Sequence, residues 1–176
     1  SSDLVALLDV ASMHPTSLIE MNYFGPFTQK FADLKQTRIY IKHGEYDKAK
    51  KMFGGILEEF LQDPESADML SEALKIIINI VYGMTSAKFD NKFRHKLNQD
   101  NIVAKRGALF MINLKHEVQK RGYTVAHIKT DSIKIPDADP DIIAFVMDYG
   151  KRYGYTFEHE ATYDKMCLVN DAVYIA

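Results

Sequence analysis

The chain has a single cysteine, Cys167, among 176 residues. That excludes an internal disulfide framework and a zinc site built from cysteines. Cys167 lies in the apolar run MCLV, which points to a buried strand thiol rather than a nucleophile. No run of about 18 apolar residues occurs, so no membrane-spanning helix is expected. The first residues, SSDLVALLDV, carry no basic start and no small-residue cleavage site, and no signal peptide is read there. Internal repeats and low-complexity segments are also missing. So is an excess of one charge: the formal net charge is -2, which taken alone argues against a nucleic-acid binder.

What is present fits one globular domain, or one domain with a large insertion, since 47% of the residues are hydrophobic. The charge is unevenly placed. From Ser86 to Arg121 nine basic residues stand against three acidic ones, and from Asp137 to Asp164 seven acids stand against two bases. Such a chain can offer a basic face to phosphates while staying near neutral overall. Solvated helix faces would explain the same charges.

The apolar run Leu4 to Leu8 predicts a buried strand that stops at Asp9. Pro15 suits the first turn of a short helix with Thr16 to Met21 behind it, broken by Gly25-Pro26. Phe27 to Phe60 is polar and helical in texture. Asp63-Pro64-Glu65 is a helix start, with the helix running to about Tyr82 and ending at Gly83. Residues 85–100 read as loop, and Ile102 to Lys120 as a helix closed by Arg121-Gly122. Thr124 to Lys129 and Ser132 to Pro136 predict a hairpin with Thr130-Asp131 at its tip. Asp139-Pro140 starts a helix to about Tyr153. Tyr155 to Glu160 and Met166 to Ile175 read as strands, with Asn170-Asp171 as a turn. Strands at both ends of the chain must share one sheet with helices on one face, an α+β domain. The block from Pro26 to Gly83 is then a helical insertion, of a kind that reaches toward a ligand.

Asp9 and Asp131 are the two acids this layout can bring together. Side by side they would repel, and magnesium would relieve that, because it takes hard oxygen ligands and favours one or two carboxylates plus substrate phosphates. Two such ions can activate an attacking oxygen and stabilise a leaving one. Two strand-end acids facing water are the simpler alternative. On the helix DMLSEALKIIINIVYG, residues Ser71, Lys75, Asn79 and Tyr82 recur three or four apart as one polar stripe. Lys35, Arg38 and Lys42 do the same in DLKQTRIYIK. Together Arg38, Lys42 and Lys75 could neutralise a triphosphate, and the turn through Ala11-Ser12-Met13 into a helix start suits a phosphate as well.

Three blocks, in order, resemble a known pattern. DVASMHPTS (Asp9 to Ser17) is similar to motif A of family B DNA polymerases, DxxSLYPS. KIIINIVYG (Lys75 to Gly83) resembles motif B, KxxxNSxYG, and HIKTDS (His127 to Ser132) resembles motif C, YxDTDS. The texture is closest to bacteriophage-type members. The resemblance implies a polymerase palm, an antiparallel sheet with helices on one face and a ferredoxin-like core, with an inserted helical fingers subdomain. Residues 1–25 would be palm, 26–84 fingers, and 85–176 palm again, leading toward a thumb.

The same resemblance implies roles. Asp9, Asp131 and the carbonyl of Val10 would bind two Mg²⁺, with Mn²⁺ as a substitute. Ser12, Met13, Arg38, Lys42 and Lys75 would hold the triphosphate, and His14, Asn79 and Tyr82 would line the sugar and the nascent base pair. Gly83, Arg106, Lys129, Thr130 and Lys165 would meet DNA. The implied partners are primer–template DNA, dNTPs and the exonuclease and thumb segments of a longer polymerase, and the implied location is cytoplasmic, the host cell's if the chain is phage-encoded. The chain departs from the pattern at His14, which replaces tyrosine, at Ile80, which replaces serine, and at Lys129, which replaces the first aspartate of motif C. Asp171 to Tyr174 stands where a basic KKRY-like stretch is usual. A non-catalytic nucleic-acid-binding module on a degenerate palm is the competing reading, favoured by Lys129 and Ile80. A nucleotidyl cyclase fits less well, because it has no use for a template-checking helix.

Overall fold

The computed structural model describes residues 4–163, 167–168 and 174–175. The chain is α+β and divides into two compact units. One comprises residues 1–13 and 104–176, and the other residues 14–103. The expected divisions lay at 25/26 and 84/85.

The first unit is built on a four-stranded antiparallel sheet. Its strands are β1 (Val5–Val10), β2 (His127–Ile128), β3 (Ser132–Pro136) and β4 (Phe157–Tyr163), in spatial order β2-β3-β1-β4. Helices α6 (Ile102–Lys120) and α7 (Pro140–Arg152) connect β1 to β2 and β3 to β4. Phe110, Met111, Leu114 and Val118 recur at helical spacing on α6, and Ile142, Val146 and Tyr149 do so on α7. They pack on Leu8, Val10, Ile133, Ile135 and Phe157, which share one face of the sheet. Both helices therefore cover the same face, as expected. A separate pair, β5 (Cys167–Leu168) and β6 (Tyr174–Ile175), is also antiparallel. The Asn170-Asp171 turn and the burial of Cys167 lie outside the described residues.

Several boundaries differ from expectation. β1 runs one residue past Asp9, to Val10, instead of stopping at Asp9, because both of its edges are paired and backbone pairing outlasts the apolar run. The hairpin is shorter than the sequence suggested, with β2 limited to His127–Ile128. β4 begins at Phe157 rather than Tyr155, since the amide of Tyr155 is used to close α7 through the carbonyl of Gly150, at 3.0 Å.

The second unit holds α2 (Thr28–Lys42), α3 (Tyr46–Lys50), α4 (Pro64–Thr85) and α5 (Lys96–Gln99), joined by α1 (Met13–Glu20), which crosses from the first unit. α2 packs against α4. The Asp63 side chain accepts from the Ser66 amide at 2.9 Å, the capping expected from Asp-Pro-Glu. α4 continues past Gly83, which keeps an ordinary helical φ, and stops two residues later, where the Thr85 hydroxyl donates to the Tyr82 carbonyl at 2.6 Å. The loop after it contains the short α5, which the sequence did not suggest. It is pinned by a bond of 2.5 Å between the buried Asn98 amide and the buried Thr85 hydroxyl.

Candidate active site

Asp9 is paired on both sides within β1, with Ser132 of β3 opposite on one flank and Glu158 of β4 on the other. Alternation along the strand sends Leu8 and Val10 into the core beneath the helices and turns Asp9 to the opposite face. Asp131 occupies the exposed loop between β2 and β3. Its carbonyl accepts from the Val10 amide at 2.7 Å, which fastens the hairpin tip to the strand that carries Asp9.

A third acid, Glu160, also bears on Asp9. Leu7 faces Ala161 while Leu8 faces His159, which leaves Glu160 as an extra residue in β4. Such a bulge re-aims a side chain, and the Glu160 carboxyl acts on that of Asp9. Burial, then the charges of Asp131 and Glu160, push the Asp9 carboxyl up from 3.8 to about 7, and only the Val10 backbone N–H works in the other direction. Oδ1 of Asp9 is buried without a hydrogen-bond partner.

This shift has a stability consequence. The folded state holds the Asp9 proton more tightly than the unfolded chain does. The stabilisation is therefore full below about pH 4 and is lost as pH rises through about 7. With Asp131 and Glu160 solvent-exposed, screening reduces the effect to about 1–2 kcal/mol. Urea midpoints should fall between about pH 5 and pH 8 in the wild type, and much less in Asp9→Asn.

The other expected positions in this unit are placed as follows. Ser12 sits in the turn after β1 with φ +51, a left-handed backbone that disfavours a side chain and costs about 1 kcal/mol. Met13 begins α1, so its amide lies at a helix start, but its side chain is buried in the core against Gly107. Lys129 and Thr130 are exposed, and the Lys129 amide donates to the Ser132 carbonyl at 2.9 Å. Arg106 is held within the unit: it donates to the Tyr155 hydroxyl at 2.5 Å and the Tyr153 carbonyl at 3.2 Å, over the Tyr155 ring. Lys165 lies outside the described residues.

In the helical unit, His14 and Tyr82 come together as parallel rings 4.8 Å apart and 7° from coplanar. Burial pushes the Tyr82 hydroxyl up from its ordinary value. Lys75 and Asn79 are exposed, and Lys75 meets Glu72 at 3.3 Å in a solvent-facing pair. Gly83 is exposed on the same helix. Ser71 does not join that stripe. It is buried with Ala67, Leu74 and Ile78 on the face that α4 turns inward. On α2, Arg38 is half-buried with a buried Nε that has no hydrogen-bond partner, while Lys42 is exposed in the last turn.

Glu160 is the residue that sequence reasoning missed. The alternation in FEHEAT placed Glu158 and Glu160 on one strand face, but nothing local announced the bulge that aims Glu160 at Asp9. Among the described residues, no group of three or more His, Cys, Asp or Glu side chains is arranged to hold a metal ion. No family model and no curated protein sequence matches this chain.

Proposed function

We propose that the chain is the catalytic core of a family B DNA polymerase, joining a dNTP to a primer 3′-hydroxyl with two Mg²⁺ ions, for which Mn²⁺ can substitute. The observation that carries this reading is that Asp9, on the sheet face away from the helices, feels the charges of Asp131 and Glu160, with the Asp131 backbone tied to Val10 at 2.7 Å. The element order β1-α6-β2-β3-α7-β4, with strands arranged β4-β1-β3-β2, supports a ferredoxin-like palm. The helical unit is then the fingers.

The carboxylates fit a divalent cation. A buried, unpartnered oxygen and a carboxyl that ionises reluctantly are both relieved by positive charge. Magnesium often uses only one or two protein carboxylates and completes its shell with water and substrate phosphate, so a three-residue protein cage is not required. Asp9, Asp131 and the Val10 carbonyl would hold the ions, which supply charge neutralisation at the phosphoryl group and a more acidic primer hydroxyl. Burial, with Asp131 and Glu160, raises the hold of the Asp9 carboxyl on its proton, and a bound cation would compete with that proton. Arg38 would add positive charge for the triphosphate, and Lys75 would exchange its weak surface pair with Glu72 for a stronger charge-assisted one. Ser12 and Met13 present backbone amides, and Lys42 adds charge. His14 and Tyr82, already stacked, form a flat wall for the sugar and base beside Asn79. Gly83, Lys129 and Thr130 would meet the primer–template. Arg106 fits that role less well, because Tyr155 and Tyr153 already use its guanidinium.

The test is single-turnover incorporation of one dNTP with enzyme in excess over a primed template, together with metal-dependent dNTP binding. Incorporation that follows the template base and requires Mg²⁺ or Mn²⁺ supports the reading. Absence of both incorporation and metal-dependent dNTP binding overturns it and leaves the non-catalytic binding module. A further expectation is that millimolar Mg²⁺ raises the urea midpoint at about pH 8 and has little effect at about pH 5, since the cation competes with the Asp9 proton.

A further inference from the structure

The helical unit contains a cavity of about 680 Å³ formed entirely within residues 23–95. It is large enough for a nucleobase. Its walls are aromatic: Phe24 meets Phe31 edge-on at 5.2 Å and Phe93 at 6.1 Å, and Tyr23 meets His95 at 4.4 Å. Phe27 and Phe93 line it while remaining 66% and 42% exposed. Rings of that size left in water are available to a flat partner. Three cations, Lys30, Lys92 and Arg94, also line the cavity, and no carboxylate does. Arg94 pairs with the exposed Asp90 at 2.6 Å.

The lining is held ready. The Asn91 side chain donates to the Met84 carbonyl at 3.0 Å and accepts from the Phe93 amide at 2.8 Å, and the His95 amide donates to the Thr85 carbonyl at 3.0 Å. Those bonds fix the segment KFDNKFRHK, in which basic and aromatic residues interleave. From the other side the cavity receives Phe53, a bulky residue held at φ +51. Such a conformation is unfavourable for phenylalanine and is found where a site demands it. The buried Tyr23 hydroxyl has no hydrogen-bond partner.

We propose that this cavity binds single-stranded nucleic acid, with an unpaired base stacked against Phe27 and Phe93 and its flanking phosphates on Lys30, Lys92 and Arg94. The two halves of the lining select that ligand together. An apolar peptide has no use for three cations, and an acidic peptide has none for exposed rings. A nucleotide strand presents both a π-face and a phosphate at each step. The inference is independent of the carboxylate chemistry and stands if Asp9 and Asp131 prove inert.

The experiment is fluorescence anisotropy of a 5′-labelled oligo(dT) with the full chain over a range of salt. Wild type should bind with an affinity that falls as salt rises. The Phe27→Ala, Phe93→Ala double variant should bind about 10- to 100-fold more weakly, and Lys92→Ala should flatten the salt dependence by about 0.7 in log–log slope. Both phenylalanines are partly in solvent, so the variant should fold, which circular dichroism checks. Its metal-dependent dNTP binding should stay within about twofold of wild type, which separates this site from the polymerase reading. No binding by wild type, or equal binding by wild type and both variants, overturns the proposal. So does a concentration-dependent dimer that the double variant abolishes while oligonucleotide binding persists.

Discussion

If the chain is the polymerase core proposed above, Asp131→Asn and Asp9→Asn should each slow nucleotide incorporation by at least about 10³-fold, about 4 kcal/mol in barrier height, while the protein stays folded. Each substitution removes one negative charge and keeps the side-chain shape. Asp131 is exposed, and it is its backbone carbonyl, not its carboxylate, that accepts from Val10, so the hairpin tip should hold its place. At Asp9 the two effects should have opposite signs. Activity is lost, but the fold is stabilised at about pH 8, because an amide removes the penalty of ionising a crowded carboxyl. A residue conserving only structure would lose stability when replaced. A site that keeps a destabilising charge for chemistry gains stability and loses rate. Single-turnover incorporation and urea denaturation on the same preparations decide it. Wild-type rates in both variants would remove these carboxylates from catalysis.

The second large effect is at Gly150. Alanine is the better helix former by about 1 kcal/mol, and Gly150 lies within α7, so propensity alone expects Gly150→Ala to stabilise. The surroundings reverse the sign. An added Cβ would lie 2.7 Å from Cδ2 and 3.0 Å from Cε2 of Phe157, and 3.1 Å from the Tyr155 carbonyl oxygen. Phe157 is buried and paired with Val10 across the sheet, and the Tyr155 backbone is anchored to Gly150 itself, so neither can give freely. Overpacking of this kind costs about 2–3 kcal/mol net, read as a lower urea midpoint at unchanged slope. Gly83 is the control. It lies inside α4 with nothing within 4 Å of an added Cβ, so Gly83→Ala should leave stability unchanged or raise it by up to about 1 kcal/mol. Equal effects at the two glycines would show that helix propensity, not the Phe157 contact, governs the site. Because β4 also carries Glu160, the shift forced by Gly150→Ala should disturb the carboxylate group as well.

The sequence by itself determined the parts whose signals are local. Asp139-Pro140 and Asp63-Pro64 marked the starts of α7 and α4, because a capping carboxylate and a proline act on the adjacent turn. The apolar spacing of α6 and the β2–β3 hairpin signal were legible for the same reason, and so were the α+β class and the helices' place on one face of the sheet. Only the tertiary structure decided what faces what. It carried β1 one residue past Asp9, made Glu160 a bulge residue, stacked His14 on Tyr82, buried Ser71, and gathered Phe27, Phe53 and Phe93 around one cavity. Those relations depend on strand register and helix packing, which arise from many small burial terms spread along the whole chain. Caps and turns are fixed by neighbours a few residues away, whereas register and packing have no single residue that encodes them.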